Sequence, residues 1–172
     1  PLEEEIPAYI DFGRQFIGGV SFLIPGLTIS MARLWVGLTQ IIPYFLLGFA
    51  LFRIASRDKF SWLLLTLWTF LFLKQGPIHP PLVISAALVA LAWQAPLWYA
   101  IPLVVGAGYF AQASRLTWLF APGMWIFMLE IASASFSDWK SATPTLKRAI
   151  LLAVLGLFGG IYFSTVLARS EA

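Results

Sequence analysis

Residues 34–52 read LWVGLTQIIPYFLLGFALF, an uncharged run bounded by Arg33 and Arg53. At about 1.5 Å of rise per residue, such a run is long enough as a helix to cross the roughly 30 Å hydrocarbon core of a bilayer. Two further stretches have the same character. Residues 149–168 are apolar between Lys147, Arg148 and Arg169, and residues 116–136 carry a single acid, Glu130. Composition agrees with this reading. The 172-residue chain is 60% hydrophobic and 11% charged, with a mean hydropathy of +0.85, whereas a soluble domain is about 45–50% apolar and about 25% charged. So much Phe, Trp, Leu and Ile excludes a disordered chain, and a free soluble monomer could not hide it from water. The expected fold is an all-α polytopic transmembrane helix bundle in a single integral membrane domain spanning residues 1–172.

Between these spans the pattern is less regular. Residues 60–73, 82–93 and 97–111 are apolar but short for a full crossing, and they are separated by Lys74–Pro81 and by Gln94-Ala95-Pro96. Non-helical backbone at membrane depth must be satisfied by protein or water. The short runs therefore read either as short spans in thinned bilayer or as a re-entrant pair, and five to seven membrane elements are expected. Residues 1–14 are acidic (Glu3, Glu4, Glu5, Asp11), and the start of the chain is expected to be processed or truncated. Residues 15–32, broken by Gly18-Gly19 and Pro25-Gly26, read as a re-entrant or interfacial element preceding the bundle of residues 34–168.

Alternating the loops places Arg53, Arg57, Lys59, Lys140, Lys147 and Arg148 on one side and Arg33, Lys74, Arg115 and Arg169 on the other. Basic residues in short loops mark the cytoplasmic side, so the first set is expected to face inward if both short runs cross. Trp62, Trp93, Trp98, Trp118 and Trp139 fall near span ends, where amphipathic rings prefer the headgroup layer, while Trp68 and Trp125 read as packing. The expected location is the plasma membrane of a bacterium or archaeon, in multi-pass form.

Few residues are available for chemistry. The chain has no cysteine and one histidine, His79, so no metal site or cofactor is expected. No nucleotide-binding loop, zinc motif or hydrolase elbow is present, and the net charge of +3 is explained by membrane orientation rather than nucleic-acid binding. A charge inside a span is costly, which singles out Glu130 as an intramembrane acid. It reads either as a carboxylate close to the cytoplasmic headgroups, or paired with Arg53 or Arg57, or else as a proton or cation site of a small-solute transporter. Lys74, Gln75, His79 and Arg115 gather on the expected outer side, around the loop stiffened by Gly76, Pro77, Pro80 and Pro81. A cationic set without acids suits an anionic headgroup, with Arg offering a fork and Lys a point charge. The alternative is that Lys74 and Arg115 anchor span ends by snorkelling. Pro122-Gly123 reads as a kink, and Gly156, Gly159 and Gly160, with Ala153 before them, as a close-packing helix face. That face would serve packing within the chain or a seam to other membrane subunits.

The short, proline-broken spans, with Lys74–Pro81 and Ser114-Arg115-Leu116-Thr117-Trp118-Leu119-Phe120-Ala121-Pro122-Gly123, resemble in layout the later transmembrane part of polytopic C-type glycosyltransferases. The resemblance covers at most residues 34–136. Those enzymes use polyprenyl-phosphate-linked sugars at the extracytoplasmic face. Their acidic pair in the first extracytoplasmic loop has no counterpart in an outward loop here. The resemblance therefore implies a fragment or non-catalytic relative in which Lys74, His79 and Arg115 contact lipid phosphate. The competing expectation is a non-catalytic structural or assembly subunit of a larger membrane complex, whose partners are membrane lipids and other subunits.

Overall fold

The computed structural model describes residues 12–55, 58–75, 80–134 and 139–170. It is an all-α helix bundle, with no strand among the described residues. The helices are α1 (Phe12–Gly19), α2 (Ile29–Thr39), α3 (Ile42–Ala55), α4 (Lys59–Leu73), α5 (Pro80–Ala92), α6 (Leu97–Ser114), α7 (Ala121–Ala132) and α8 (Trp139–Ser170), with 3-10 turns at Val20–Leu23 and Leu116–Trp118. Two stretches, Ile29–Ile54 and Ala142–Tyr162, are long and apolar enough to cross a membrane.

The stretch expected as one unbroken span is interrupted. Pro43 has no amide hydrogen and its ring would crowd the carbonyl of Thr39, so the helix stops at Thr39 and restarts at Ile42. Gln40 and Ile41 make the turn through bonds back to Gly37 and Leu38. Residues 116–136 also differ from expectation. Helix begins only at Ala121, and Pro122 occupies the first turn, where a missing N–H leaves nothing unsatisfied. Pro122-Gly123 is thus a helix start rather than a kink. The doubtful segment 15–32 becomes α1, a 3-10 turn and the beginning of α2.

Helices α3 to α7 alternate in direction. α3 and α4 form an antiparallel pair in which Phe45 stacks on Phe70 with centroids 4.5 Å apart and Phe49 meets Trp62 at 4.2 Å. The two backbones approach closely because Gly48 faces Thr66 and Thr69. Both threonine hydroxyls donate within α4, to the carbonyls of Trp62 and Leu65, so neither is left unsatisfied beside apolar neighbours. α5 packs between α3 and α6 and donates across the second contact from Ser85 Oγ to the Ala107 carbonyl, 2.8 Å away. The two short runs that contain α5 and α6 are therefore two antiparallel helices joined by the turn 93–96.

The centre of the bundle is α6 against α8, which run parallel. A Cβ on Gly108 would overlap the Gly156 carbonyl and lie 2.9 Å from the Gly160 amide, while one on Gly159 would overlap the Val105 carbonyl. α7 joins the same seam, since a Cβ on Gly123 would stand 2.7 Å from the Ala153 carbonyl. Gly156, Gly159 and Gly160 therefore face α6, α7 and the turn at Leu119 within the chain. Around the seam Val89, Ala92, Ala100, Val104, Ala107, Ile126 and Leu152 form a fully buried apolar cluster. Small residues remove the steric limit on approach, and dispersion contacts between the backbones then accumulate.

The seam predicts opposite outcomes at two glycines of α6. Gly108→Leu forces α6 and α8 apart and should cost about 1–3 kcal/mol or more, the usual penalty of overpacking, lowering the melting temperature in mild detergent. Gly106 has only Leu88 Cδ1 nearby, at 3.7 Å, so Gly106→Ala should leave that temperature unchanged or raise it. A second prediction concerns the start of α4. Asp58 caps it by accepting from the Ser61 amide at 2.8 Å. Hydrogen bonds from Ser61, its side chain foremost and then its backbone, hold the Asp58 carboxyl below its ordinary value near 3.8. A lowered pKa means that the cap's contribution is complete above the unfolded value and lost as pH falls through the folded one. Protection of the Ser61 amide from hydrogen exchange should accordingly fall on acidification below about pH 4, and Asp58→Asn should abolish that pH dependence.

Candidate functional site

The polar groups of the bundle collect at its two ends. One end is built on the C-terminus of α5. A helix terminus leaves carbonyls without partners and carries a partial negative charge, which favours cations there. Two arginines from different helices fill this role. Arg53 of α3 donates through Nη2 to the Leu91 and Trp93 carbonyls at 3.0 and 2.8 Å. Arg148 of α8 donates through Nη2 to the Ala92 and Ala95 carbonyls at 3.3 and 2.6 Å. Its Nε donates to Glu130 Oε1 of α7 at 3.0 Å, where the carboxylate side chain is only 3% exposed. The same Oε1 accepts from the Gln94 amide at 3.2 Å. Gln94 holds φ of +55°, a left-handed conformation that closes α5 and turns the chain toward α6. Trp93 Nε1 completes the cluster by donating to Ser133 Oγ, which itself donates to the Leu129 carbonyl, both at 2.8 Å.

Glu130 is therefore the buried half of an ion pair whose cation is partly exposed. Its expected partners were Arg53 or Arg57. Arg57 lies outside the described residues, and Arg53 is engaged with carbonyls, so the partner is Arg148. Nothing in the spacing of residues 130 and 148 marks them as neighbours. The usable signal was that an acid inside an apolar run requires a cation, and that Arg148 begins the next span. With Oε1 held by a guanidinium and an amide, Glu130 bridges α5, α7 and α8. A proton or cation passing through it would first have to break that bridge.

The opposite end carries Lys74 and Arg115, at the C-termini of α4 and α6. The Lys74 ammonium lies 5.0 Å from the centroid of the Tyr44 ring and 3.4 Å from Gln40 Oε1. Tyr44 is almost fully buried, and Lys74 and Gln75 are exposed. Such an exposed cation–π contact contributes about 0.5–1 kcal/mol and holds the ammonium at the surface. Arg115 is exposed, and its amide closes α6 on the Ala111 carbonyl at 3.1 Å. The two cations share this end but not one cluster, because α4 packs on α3 while α6 packs on α5, α7 and α8. His79 lies outside the described residues, as do Gly76 and Pro77. Gln75 turns the chain after α4, its amide donating to the Phe72 carbonyl at 3.2 Å. Both carboxylates whose side chains are described, Asp58 and Glu130, belong to the Arg148 end. The Lys74 end is thus cationic among the described residues. Sequence reasoning missed Gln40 and Tyr44 as companions of Lys74, since a turn before Pro43 was not expected. Among the described residues no three of His, Cys, Asp and Glu come together as a metal would require.

The buried pair gives a quantitative expectation. Arg148→Met leaves Glu130 without its cation and should destabilise the fold by about 3–5 kcal/mol, the typical effect of breaking a buried pair from one side. Glu130→Leu combined with Arg148→Met should recover part of that loss. A double-mutant cycle on detergent-solubilised protein, read by thermal or denaturant unfolding, measures the coupling.

A comparison with protein-family models, with curated proteins and with solved structures finds no match to this chain.

Proposed function

We propose that this chain is a multi-pass integral membrane module that takes an anionic, lipid-linked headgroup at the end of the bundle carrying Lys74 and Arg115. It would lie in a bacterial or archaeal plasma membrane with the Arg148 end cytoplasmic. The observation that carries this reading is the division of charge. At the Arg148 end the two arginines are already engaged, Arg53 by helix carbonyls and Arg148 by helix carbonyls and Glu130. At the other end the Lys74 ammonium meets, among the described residues, the neutral groups Gln40 and Tyr44, and Arg115 is exposed. A phosphate at that level would gain charge-assisted hydrogen bonds with no competing carboxylate among the described residues. The layout that resembles polyprenyl-phosphate-dependent glycosyltransferases makes polyprenyl phosphate, or the sugar-linked form, the ligand to try first.

A second reading, an assembly subunit of a larger membrane complex, draws on α2. None of its residues is fully buried within the chain, and the face away from Trp35 is left for lipid or for another polypeptide. The glycine face of α8 does not add to that reading, because it is occupied by α6 and α7.

Binding of polyprenyl phosphate to the purified chain in detergent should be saturable and should weaken at least about tenfold, about 1.4 kcal/mol, in Lys74→Ala with Arg115→Ala. Unchanged binding in the double variant sinks the headgroup reading. A stoichiometric membrane partner that survives purification, with no bound lipid phosphate, would support the subunit instead.

A further inference from the structure

The segment before the bundle contains a cleft unlike the others. It lies between the 3-10 turn and α2, has a volume of about 480 Å³, and is walled by Phe22, Leu27, Ile29, Ala32 and Val36 together with Thr28 and Arg33. Three other clefts of about 310–360 Å³ run along the helices without a charged residue in their walls. Here hydrocarbon and one guanidinium share a wall. The apolar side chains are strongly exposed, Phe22 at 77%, Ile29 at 75% and Val36 at 56%. Arg33 is exposed too, and no hydrogen bond or ion pair engages its side chain among the described residues.

The cleft is shaped by local structure. Gly26, at φ of +74°, reverses the chain between the turn and α2. Thr28 then starts α2 by accepting from the Met31 amide at 3.3 Å. Trp35 Nε1 donates to the Ile17 carbonyl at 2.7 Å and ties α2 to α1. α1 in turn rests on α6 through Phe16, whose ring meets Tyr109 and Phe110 edge-on. These residues lie in the part of α6 that ends at Arg115, so the segment belongs to the Lys74 end.

We infer that this cleft is a phospholipid site, in which the Arg33 guanidinium takes the phosphate and the wall of Phe22, Leu27, Ile29, Ala32 and Val36 takes the adjoining part of one acyl chain. The charge pattern selects the occupant. A planar guanidinium without a partner among the described residues favours an oxyanion it can grip with two parallel N–H bonds, and the rest of the wall is hydrocarbon apart from Thr28, whose hydroxyl already accepts from the Met31 amide. An amphiphile with a phosphate between head and chain satisfies both conditions, and a neutral lipid of the same chains satisfies one. The site uses none of the residues assigned to headgroup binding above and stands independently of that reading.

The test compares lipids retained by the detergent-purified full chain, measured by native mass spectrometry after incubation with phosphatidylglycerol or with diacylglycerol of identical chains. Wild type should retain phosphatidylglycerol and release diacylglycerol. Arg33→Gln should reduce retention of phosphatidylglycerol about tenfold, and Ala32→Trp, which fills the cleft, should do the same. Because α2 buries no side chain, both variants should keep the wild-type melting temperature. Lys74→Ala with Arg115→Ala should retain this lipid as wild type does, which separates the two sites. Equal retention of the two lipids, or undiminished phosphatidylglycerol in Arg33→Gln, overturns the inference.

Discussion

The bundle depends on how the C-terminus of α5 is satisfied. A helix that ends against other helices leaves carbonyls that water reaches poorly, and each such group costs about 1–3 kcal/mol if it is not paired. Here Arg53 and Arg148 reach the end of α5 from two different helices, α3 and α8. The charge of Arg148 then has to be balanced in turn, which Glu130 does from α7. Four helices are fixed by one terminus, and the left-handed Gln94 sets the direction in which α6 leaves it. Replacing such a network with apolar residues can be neutral, whereas removing one member is not. Its effect is to specify which helices meet and at what height.

Helical class, the runs of apolar sequence and the grouping of basic residues were legible from composition and spacing, because lipid-scale hydrophobicity is a property of each stretch taken alone. Arg53, Lys59, Lys147 and Arg148 lie at one end, and Lys74 and Arg115 at the other, as alternate loops require. What was not legible depends on pairs. The break before Pro43 follows from a local rule that the apolar run obscured. The Arg148–Glu130 pair and the contact of Lys74 with Gln40 and Tyr44 depend on which helices neighbour each other, and periodicity does not encode neighbours in uniformly apolar helices. The position of Pro122 in the first turn of α7 was misread for a related reason. A proline within an apolar run looks like a kink until the start of the helix is known.

The two ends of the bundle differ in kind as well as in charge. At the Arg148 end the donors and acceptors described above are matched to one another, so this end holds the helices together. At the Lys74 end the ammonium of Lys74 is held by weaker, neutral contacts, and both it and Arg115 stay exposed. The glycine seam makes that contrast possible. With α6, α7 and α8 in backbone contact, the Lys74 end needs no polar network to keep its helices in register. Its charged residues are left exposed.

The order in which the network is assembled follows from where its members lie along the chain. Arg53 and the α5 carbonyls are made early, Glu130 later, and Arg148 only in the last helix. Until α8 emerges from the ribosome, Glu130 in α7 lacks its cation, and the faces of α6 and α7 that carry Gly108 and Gly123 lack the backbone they fit. α8 is thus the closing piece of synthesis, supplying the charge and the glycine face together. A chain stopped before residue 148 would hold a carboxylate in an apolar helix with no cation to balance it and no glycine seam to seat α6 and α7.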